Sequence, residues 1–199
     1  MKASAAILAG GKSSRMGTNK AFLEVRSCRI IDHTMDELKK VSDDILLITN
    51  KPEEYKGLGV RLAKDIYPGM GPLSGIHSAL VHAGHRAVLV VACDMPFIEA
   101  GLARYLISFA DDYQVIIPVV DGYHEPLFAV YSTSCVPHIE RCILQGKRRV
   151  IDFFSSVRVK YVNEEEISKV ANLELVFYNV NTPKELALAK KIKAKKQEA

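Results

Sequence analysis

Residues 5–20, which read AAILAGGKSSRMGTNK, constrain the fold of this chain more than any other stretch. The stretch opens with an apolar run typical of a buried strand, Ala5 to Ala9, and breaks at Gly10-Gly11. Two adjacent glycines let the backbone turn sharply and present its N–H groups to an anion. The side-chain donors and cations that follow are Lys12, Ser13, Ser14, Arg15 and Lys20. The stretch therefore predicts a strand followed by a polyphosphate-binding loop.

Two common phosphate-binding motifs do not match this loop. A Walker A loop has the pattern G-x-x-x-x-G-K-[ST], but Gly17 is followed by Thr18. A Rossmann fingerprint has the pattern G-x-G-x-x-G, which Gly10-Gly11-Lys12 does not fit. The alternative for the loop alone is a glycine turn after a strand, with surface lysines.

Composition and charge limit the class of protein. The 199 residues, 48% of them hydrophobic and 25% charged, predict one soluble globular domain over 1–199, without an internal repeat or a linker. No apolar run approaches the roughly 18 residues of a membrane span, and no signal-peptide layout is present, so we expect a cytoplasmic protein. The net charge of +4 resides in the lysine-rich stretch 190–199, which either binds an acidic partner or is a solvated helix end. The remaining chain is neutral, which argues against a nucleic-acid partner.

The four cysteines are scattered without a C-x-x-C pair, which favours neither a zinc site nor a disulfide framework. No serine or cysteine has a plausible base partner, so covalent catalysis is not expected.

Strand and helix patterns alternate along the chain. This alternation predicts an α/β fold with a mostly parallel sheet. The predicted strands of the first part are 45–49, 60–63, 87–92 and 114–118, and its predicted helices are 30–41, 73–84 and 99–110. The second part predicts a D-G turn at 121–122, strands at 125–131 and 157–162, helices at 134–145, 150–155 and 164–171, and an extended run at 175–180. Thr182, Pro183 and Glu185 form a capping-box pattern that begins a last helix.

Polar residues follow several of the predicted strands. Gly10, Asn50, Asp65 and Asp94 each lie just beyond a strand end, and ligands of open α/β sheets bind outside the carboxyl ends of the strands. We therefore expect four loops to meet at one edge. Asp94 is a candidate ligand for Mg²⁺, which takes one or two protein carboxylates plus substrate phosphates and water. The alternative for Asp94 is a turn or helix-cap aspartate, and for Asp65 a loop cap.

The cations of the first loop have candidate roles in catalysis. Arg15 and Lys20 could bind the triphosphate and stabilise the charge that develops on the transferred phosphate. Asn50 and Asp65 could contact the sugar or the base, although an Asn at a strand end is common. His124-Glu125 adjoins a predicted strand edge, but the sequence gives no mechanism for it.

Five motifs in order resemble one enzyme family. They are L-A-G-G-x-S-x-R-M-G-x-x-K at 8–20, G-P-L-S-G-I at 71–76, C-D-M-P-F at 93–97, P-L-F-A-V-Y at 126–131 and N-V-N-T-P at 179–183. Together they resemble the molybdenum cofactor guanylyltransferases, with Ser74 in place of the family's Ala. Gly11 is the position that separates the G-G loop of guanine users from the A-A-G loop of cytidine-transferring relatives.

The resemblance implies a fold, a reaction and a set of site residues. The fold is a three-layer α/β fold with a Rossmann-like nucleotide-binding half, similar to nucleotide-diphospho-sugar transferases. GMP is transferred from GTP to molybdopterin with Mg²⁺, pyrophosphate is released, and proteins of cofactor delivery are candidate partners. Residues 1–118 form the GTP-binding half, 119–189 the pterin-side half and 190–199 a basic tail. The implied catalytic residues are Arg15, Lys20 and Asp94, and Asp94 is also the implied metal ligand. Asn179 and Asn181 are implied to lie on the pterin side. The implied GTP-binding residues are Leu8, Ala9, Gly10, Gly11, Lys20, Asn50, Asp65 and Asp94.

Two other functions stay open at this stage. One is a related cytidylyl or sugar-phosphate nucleotidyltransferase, which would prefer another nucleotide. The other is a nucleotide-binding regulatory subunit without turnover, against which the intact Arg15, Lys20 and Asp94 argue.

Overall fold

An eight-stranded sheet forms the centre of the structure, a computed structural model that describes residues 2–10, 19–25 and 27–195. The strand order is β3-β2-β1-β4-β7-β5-β6, and β8 pairs with β5. The strands are β1 (Ala3–Leu8), β2 (Asp44–Ile48), β3 (Arg61–Ala63), β4 (Ala87–Ala92), β5 (Val115–Val120), β6 (Tyr123–His124), β7 (Phe128–Ser132) and β8 (Val159–Val162).

Most strand pairs are parallel, which confirms the predicted sheet. β1 pairs in parallel with β2 and β4, β2 with β3, and β5 with β8. Every residue of β1 and β4 is buried, as expected for central strands that helices cover on both faces. β7 lies antiparallel between β4 and β5, a reversal that the sequence patterns do not predict.

Helices cover both faces of the sheet and give three layers. They are α1 (Ile30–Lys39), α2 (Pro72–His82), α3 (Ala100–Ile107), α4 (Val136–Leu144), α5 (Glu164–Ser168), α6 (Leu173–Val176) and α7 (Pro183–Lys195). Buried side chains of α1, α3, α5 and α6 pack with Ile7 and Leu89 on one face. Those of α2 and α4 pack with Ala6 and Val90 on the other face. Within the described ranges, no helix combines the length and apolarity needed to span a bilayer.

The predicted D-G turn joins β5 to β6. Asp121 and Gly122 both have positive φ, 51° and 77°, the backbone that a two-residue I′ hairpin turn requires. The turn is therefore confirmed. Residues 125–127 lie outside the assigned strands, but Glu125 N donates to Pro118 O at 3.0 Å and Leu127 O accepts from Ala92 N at 2.9 Å, before β7 pairs with β4.

The predicted extended run at 175–180 is wrong. Leu173–Val176 is instead a short helix, in which the N–H groups of Leu175 and Val176 donate to the Asn172 carbonyl. Val176 is fully buried against the sheet, so tertiary packing overrides the strand propensity of this apolar run. The last helix begins at Pro183, as the capping-box pattern predicts.

A carboxylate network at the amino edge joins the starts of β1, β2 and β3 to the loop before β4. Asp44 accepts hydrogen bonds from Ser4 Oγ at 2.5 Å, Gly84 N at 2.8 Å and Arg61 Nη2 at 2.5 Å. These contacts fix the edge opposite to the predicted ligand site.

Candidate active site

The loops after β1, β2 and β4 meet at the carboxyl edge of the sheet. Leu8 is the register partner of both Ile48 and Ala92, so these three strands end side by side. Beyond them, Ala9 N donates to Ile48 O at 2.9 Å and Cys93 N donates to Leu8 O at 3.2 Å. The predicted convergence of loops is therefore present around Leu8, Ala9 and Gly10, whereas Gly11 and Arg15, together with Lys12, Ser13 and Ser14, lie outside the described residues.

Lys20 and Asp94, the two charges that the sequence analysis joins in one site, lie face to face. Their side chains are only 19% and 20% exposed, and Lys20 Nζ lies 3.4 Å from Asp94 Oδ2. Lys20 Nζ also donates to Asn181 Oδ1 at 2.5 Å. The first loop, the loop after β4 and the segment before α7 thus meet at one ammonium group.

A short 3-10 helix, Lys20–Phe22, sets the position of Lys20. Asn19 caps this helix, because its Oδ1 accepts from Ala21 N at 3.1 Å. Its amide also contacts the Tyr55 hydroxyl, as donor at 2.8 Å and acceptor at 3.1 Å. Burial raises the pKa of Tyr55 to about 12, so the hydroxyl keeps its proton and can donate to Asn19.

Packing also fixes the helix Lys20–Phe22 against Tyr55. Ala21 is fully buried, and the rings of Phe22 and Tyr55 lie with centroids 5.3 Å apart. Nothing in the sequence pattern links Asn19 to Tyr55, so sequence reasoning missed this contact.

Asn50 and Asp65 pair with each other at the ends of β2 and β3. Asn50 Nδ2 donates to Asp65 Oδ2 at 2.9 Å, and Asp65 N donates to Asn50 Oδ1 at 3.2 Å. The next residue, Ile66, donates its N–H to Ser78 Oγ of α2 at 2.8 Å. The structure therefore joins the loop after β2 to the loop after β3 through these two predicted residues, and α2 holds the second of these loops.

The beginning of α2 packs against β1. Gly71 precedes the helix with a φ of +68°, and Pro72 occupies the first helical position. A Cβ on Gly75 would lie 3.0 Å from Leu8 Cδ1, so glycine allows this close approach. Ser74 is buried, and its Oγ has no hydrogen-bond partner among the described residues, which agrees with an apolar Ala at this position in the family motif.

The segment with Asn179 and Asn181 lies against the loop after β4. Val180 N donates to Asp94 O at 2.9 Å, which places the segment beside the candidate catalytic carboxylate. Asn179 Nδ2 donates to Phe177 O at 3.0 Å. Both asparagines are thus near the site, and Asn181 contacts Lys20 directly.

Cys93 is not suited to act as a nucleophile. Burial and, to a smaller extent, the neighbouring Asp94 carboxylate raise the pKa of its thiol and Lys20 lowers it, with a net value of about 12. The thiol is therefore protonated at neutral pH, and thiolates rather than thiols are the reactive form.

The side chains at this edge fit a Mg²⁺ that is bound mainly through substrate phosphates, and not one that is enclosed by protein ligands. Among the described residues, no cluster of three or more His, Cys, Asp or Glu side chains could hold a metal ion. Asp94 supplies one partly exposed carboxylate at the carboxyl edge. Mg²⁺ is usually held by one or two carboxylates together with substrate phosphates, so a single Asp fits this mode.

Two surface cavities lie away from Lys20 and Asp94. One, of about 330 Å³, is lined by α1, the start of α3 and Ile192 of α7. The other, of about 610 Å³, lies near the beginnings of β2 and β3. Neither is lined by a predicted site residue, so we assign the site from the Lys20–Asp94 geometry.

Comparisons with known proteins show what the whole chain is similar to. Residues 5–160 match the family model of the MobA-like NTP transferase domain. A relative from Pelotomaculum thermopropionicum, named "Probable molybdenum cofactor guanylyltransferase", is 44% identical over 96% of this chain and 93% of its own length. The molybdenum cofactor guanylyltransferase of Desulfosudis oleivorans is 37% identical over 92% of each chain.

A solved structure has the same architecture. The crystal structure of molybdopterin-guanine dinucleotide biosynthesis protein A from Archaeoglobus fulgidus superposes with a TM-score of 0.83. It is 28% identical to this chain, and the match covers 96% of this chain and 99% of that protein.

Proposed function

This chain belongs to the family of molybdenum cofactor guanylyltransferases, and we propose that it transfers GMP from GTP to the terminal phosphate of molybdopterin. It is a nucleotidyltransferase, and the products are the guanine dinucleotide form of the cofactor and pyrophosphate. The observation that carries the proposal is the 3.4 Å approach of Lys20 Nζ to Asp94 Oδ2 at the edge where three strand ends meet.

The reaction exchanges one P–O bond for another. An oxygen of the molybdopterin phosphate attacks the α-phosphorus of GTP, and the bond from that phosphorus to the β-phosphate bridge breaks. The attacking oxygen is already ionised, so no general base is needed, and positioning together with cationic charge can supply the rate acceleration. Lys20 and Arg15 would neutralise the charge that develops on the transferred phosphate. Asp94 would hold the Mg²⁺, which when bound offsets the negative charge of the triphosphate.

The remaining assignments follow the positions of the loops. We assign GTP binding to the carboxyl edge, where Asn50 and Asp65 pair, and the pterin side to the segment with Asn179 and Asn181. The full set of proposed GTP-binding residues is Leu8, Ala9, Gly10, Gly11, Lys20, Asn50, Asp65 and Asp94. Residues 1–118 would then supply the GTP-binding half and 119–189 the pterin-side half. The lysine-rich stretch 190–199 and any proteins of cofactor delivery remain proposals about partners.

We also propose that the enzyme works in the cytoplasm. All four cysteines are free thiols, two of them buried, as is usual for proteins of a reducing compartment.

The direct test measures pyrophosphate release from GTP and Mg²⁺, with and without molybdopterin. We expect release that depends on molybdopterin, and a loss of about 100-fold to 1,000-fold in Asp94→Ala, the range for removing one preorganised electrostatic group. Asp43→Ala is the matched control, because Asp43 is an exposed aspartate near the amino edge of the sheet. It should retain wild-type turnover.

Other outcomes would identify the competing functions. A larger thermal shift with CTP or UTP than with GTP would favour another nucleotidyltransferase. GTP binding without pyrophosphate release in the presence of molybdopterin would favour a regulatory subunit, and would overturn the proposal.

A further inference from the structure

The first turn of α7 is connected to the Lys20 ammonium by a chain of hydrogen bonds. Lys20 Nζ donates to Asn181 Oδ1 at 2.5 Å, across 161 residues of sequence. Asn181 N in turn donates to Glu185 Oε2 at 2.6 Å. The capping pattern at α7 therefore reaches the candidate catalytic site through one intermediate residue, Asn181, whose backbone contacts Glu185 and whose side chain contacts Lys20.

The backbone around Asn181 is fixed from both sides. Thr182 N donates to the same Glu185 oxygen at 2.8 Å, and Glu185 N donates to Thr182 Oγ1 at 3.3 Å, which completes a capping box. On the other side, Val180 N donates to Asp94 O at 2.9 Å. The bonds to Glu185 Oε2 and to Asp94 O, neither of which uses the Thr182 side chain, hold the backbone on both sides of the Asn181 side chain.

Charge supports the same connection. The backbone hydrogen bond from Asn181 is the main factor that lowers the pKa of Glu185, and the Lys20 charge also lowers it. Glu185 is thus an anion that accepts from the Asn181 backbone near the Lys20 cation. Such a carboxylate favours one placement of the ammonium over its many other rotamers.

A lysine gains from such external positioning. Its ammonium lies on a flexible four-carbon stem, so its placement costs rotamer entropy when a substrate must order it. A catalytic charge contributes most when it is already in position before the reaction.

We propose that Asn181 and Glu185 are positioning residues, in which Glu185 fixes Asn181 and the Asn181 side chain places Lys20 opposite Asp94. The inference rests on the proposed guanylyl transfer, because it assigns Lys20 to the nucleotide. It goes further by giving Asn181 a role on the nucleotide side, in addition to its proposed place beside the pterin. It also makes the last helix of the described chain a part of the catalytic apparatus.

A double-mutant cycle tests the first step. We measure kcat for pyrophosphate release, and the affinity for GTP with Mg²⁺, in Asn181→Ala, Lys20→Ala and the double variant. Asn181→Ala alone should lower kcat by about 10-fold to 100-fold, as expected for a misplaced catalytic group. In the Lys20→Ala background the same substitution should change kcat less than about twofold, because residues that act as a unit are not additive.

Independent effects of the two substitutions would contradict the proposal. If the loss of kcat in the double variant equals the product of the losses in Asn181→Ala and Lys20→Ala, Asn181 acts independently of Lys20 and the proposal is wrong. If the wild type releases no pyrophosphate, the guanylyl transfer fails, but the same cycle read on GTP affinity still decides whether Asn181 acts through Lys20.

A second comparison tests the role of Glu185. Glu185→Ala and Thr182→Ala each remove one half of the capping box, but only Glu185→Ala removes the acceptor of Asn181 N. Glu185→Ala should therefore lower kcat about 10-fold with little change in the KM for molybdopterin, whereas Thr182→Ala should retain kcat. Glu185→Gln keeps an acceptor oxygen and should recover part of the loss.

Thermal melting of each variant separates positioning from stability. Equal loss of kcat in Thr182→Ala and Glu185→Ala would show general loosening of α7, and would overturn the role of Glu185. If Glu185→Ala does not fold, the kcat of Glu185→Gln is compared with that of Thr182→Ala, and equal losses would again overturn the role of Glu185.

Discussion

Gly101 occupies a position where any side chain would meet a backbone carbonyl. A Cβ built on Gly101 lies 2.5 Å from Val170 O. Ordinary carbon–oxygen contacts are about 3.3–3.6 Å, so Gly101→Ala requires a shift of about 0.8 Å. The start of α3 resists such a shift, because Ala100 N donates to Glu37 Oε2 at 2.9 Å and Glu99 accepts from Asn172 N at 3.1 Å.

The expected loss follows from two opposing effects. Overpacking costs about 1–3 kcal/mol, and a 2.5 Å contact with a backbone carbonyl belongs at the upper end, about 2–3 kcal/mol, whereas replacing Gly by Ala in a helix gains about 1 kcal/mol. The net expectation for Gly101→Ala is a loss of about 1–2 kcal/mol in the free energy of unfolding. For a chain of this size each kcal/mol lowers Tm by about 2–4 °C, so the melting temperature should fall by about 2–8 °C.

Gly75→Ala is the matched control. It is also a helical glycine, but its Cβ would meet the Leu8 side chain at 3.0 Å, and a leucine methyl can move where a backbone carbonyl cannot. We expect its stability to stay within about 1 kcal/mol of the wild type, since the packing and propensity effects nearly cancel. Urea unfolding followed by circular dichroism measures both variants. If Gly101→Ala is as stable as Gly75→Ala, the argument from the carbonyl contact is refuted.

Three further predictions concern single side chains. Burial raises the pKa of Asp44, but its three hydrogen bonds outweigh that effect and lower it. The stabilisation by Asp44 is therefore present above the unfolded pKa of about 3.9 and is lost as the pH falls through the folded pKa. In urea unfolding between about pH 7 and about pH 3, the free energy of unfolding should depend less on pH in Asp44→Asn than in the wild type. Because the pKa of Cys93 is raised to about 12 although its side chain is partly exposed, a thiol reagent at about pH 8 should label it much more slowly in the native protein than in denaturant, and equal rates by peptide mass mapping would contradict this. Tyr55→Phe keeps the ring but loses the hydroxyl that contacts Asn19, so we expect the affinity for GTP, measured by calorimetry, to fall by about 1 kcal/mol, or about fivefold. Unchanged affinity would show that the contact between Tyr55 and Asn19 does not position Lys20.

The parts of the fold that the sequence predicts are those with strong local signals. β1 and β4 are continuous apolar runs bounded by polar residues, which is typical of strands buried on both faces. The meeting of their loops follows from parallel topology, because the carboxyl ends of parallel strands share one edge. Asp94 and Lys20 could therefore be placed together from the sequence.

The parts that could not be predicted depend on contacts without a local signal. The apolar run at 175–180 carries no helical period, and packing of Val176 decides its conformation. The antiparallel direction of β7 is set by the hairpin at 121–122, whose D-G signal indicates a turn but not which strand receives the returning chain. The hydrogen bond from Lys20 to Asn181 spans 161 residues, and neither residue's neighbours indicate the other.

The geometry of the Lys20–Asp94 pair argues that it serves ligand binding rather than stability. A well-formed ion pair of this type has an N–O distance of about 2.7–2.9 Å, whereas this pair is separated by 3.4 Å. Both side chains are about four-fifths buried, so the cost of desolvating the two charges offsets much of their mutual attraction. Replacement of this weak contact by phosphate oxygens and a cation therefore costs the folded chain little. The Asn181 hydrogen bond can hold the Lys20 ammonium in place while Asp94 exchanges Lys20 for a bound cation. The two side chains can therefore lie close together and still be free to bind a ligand.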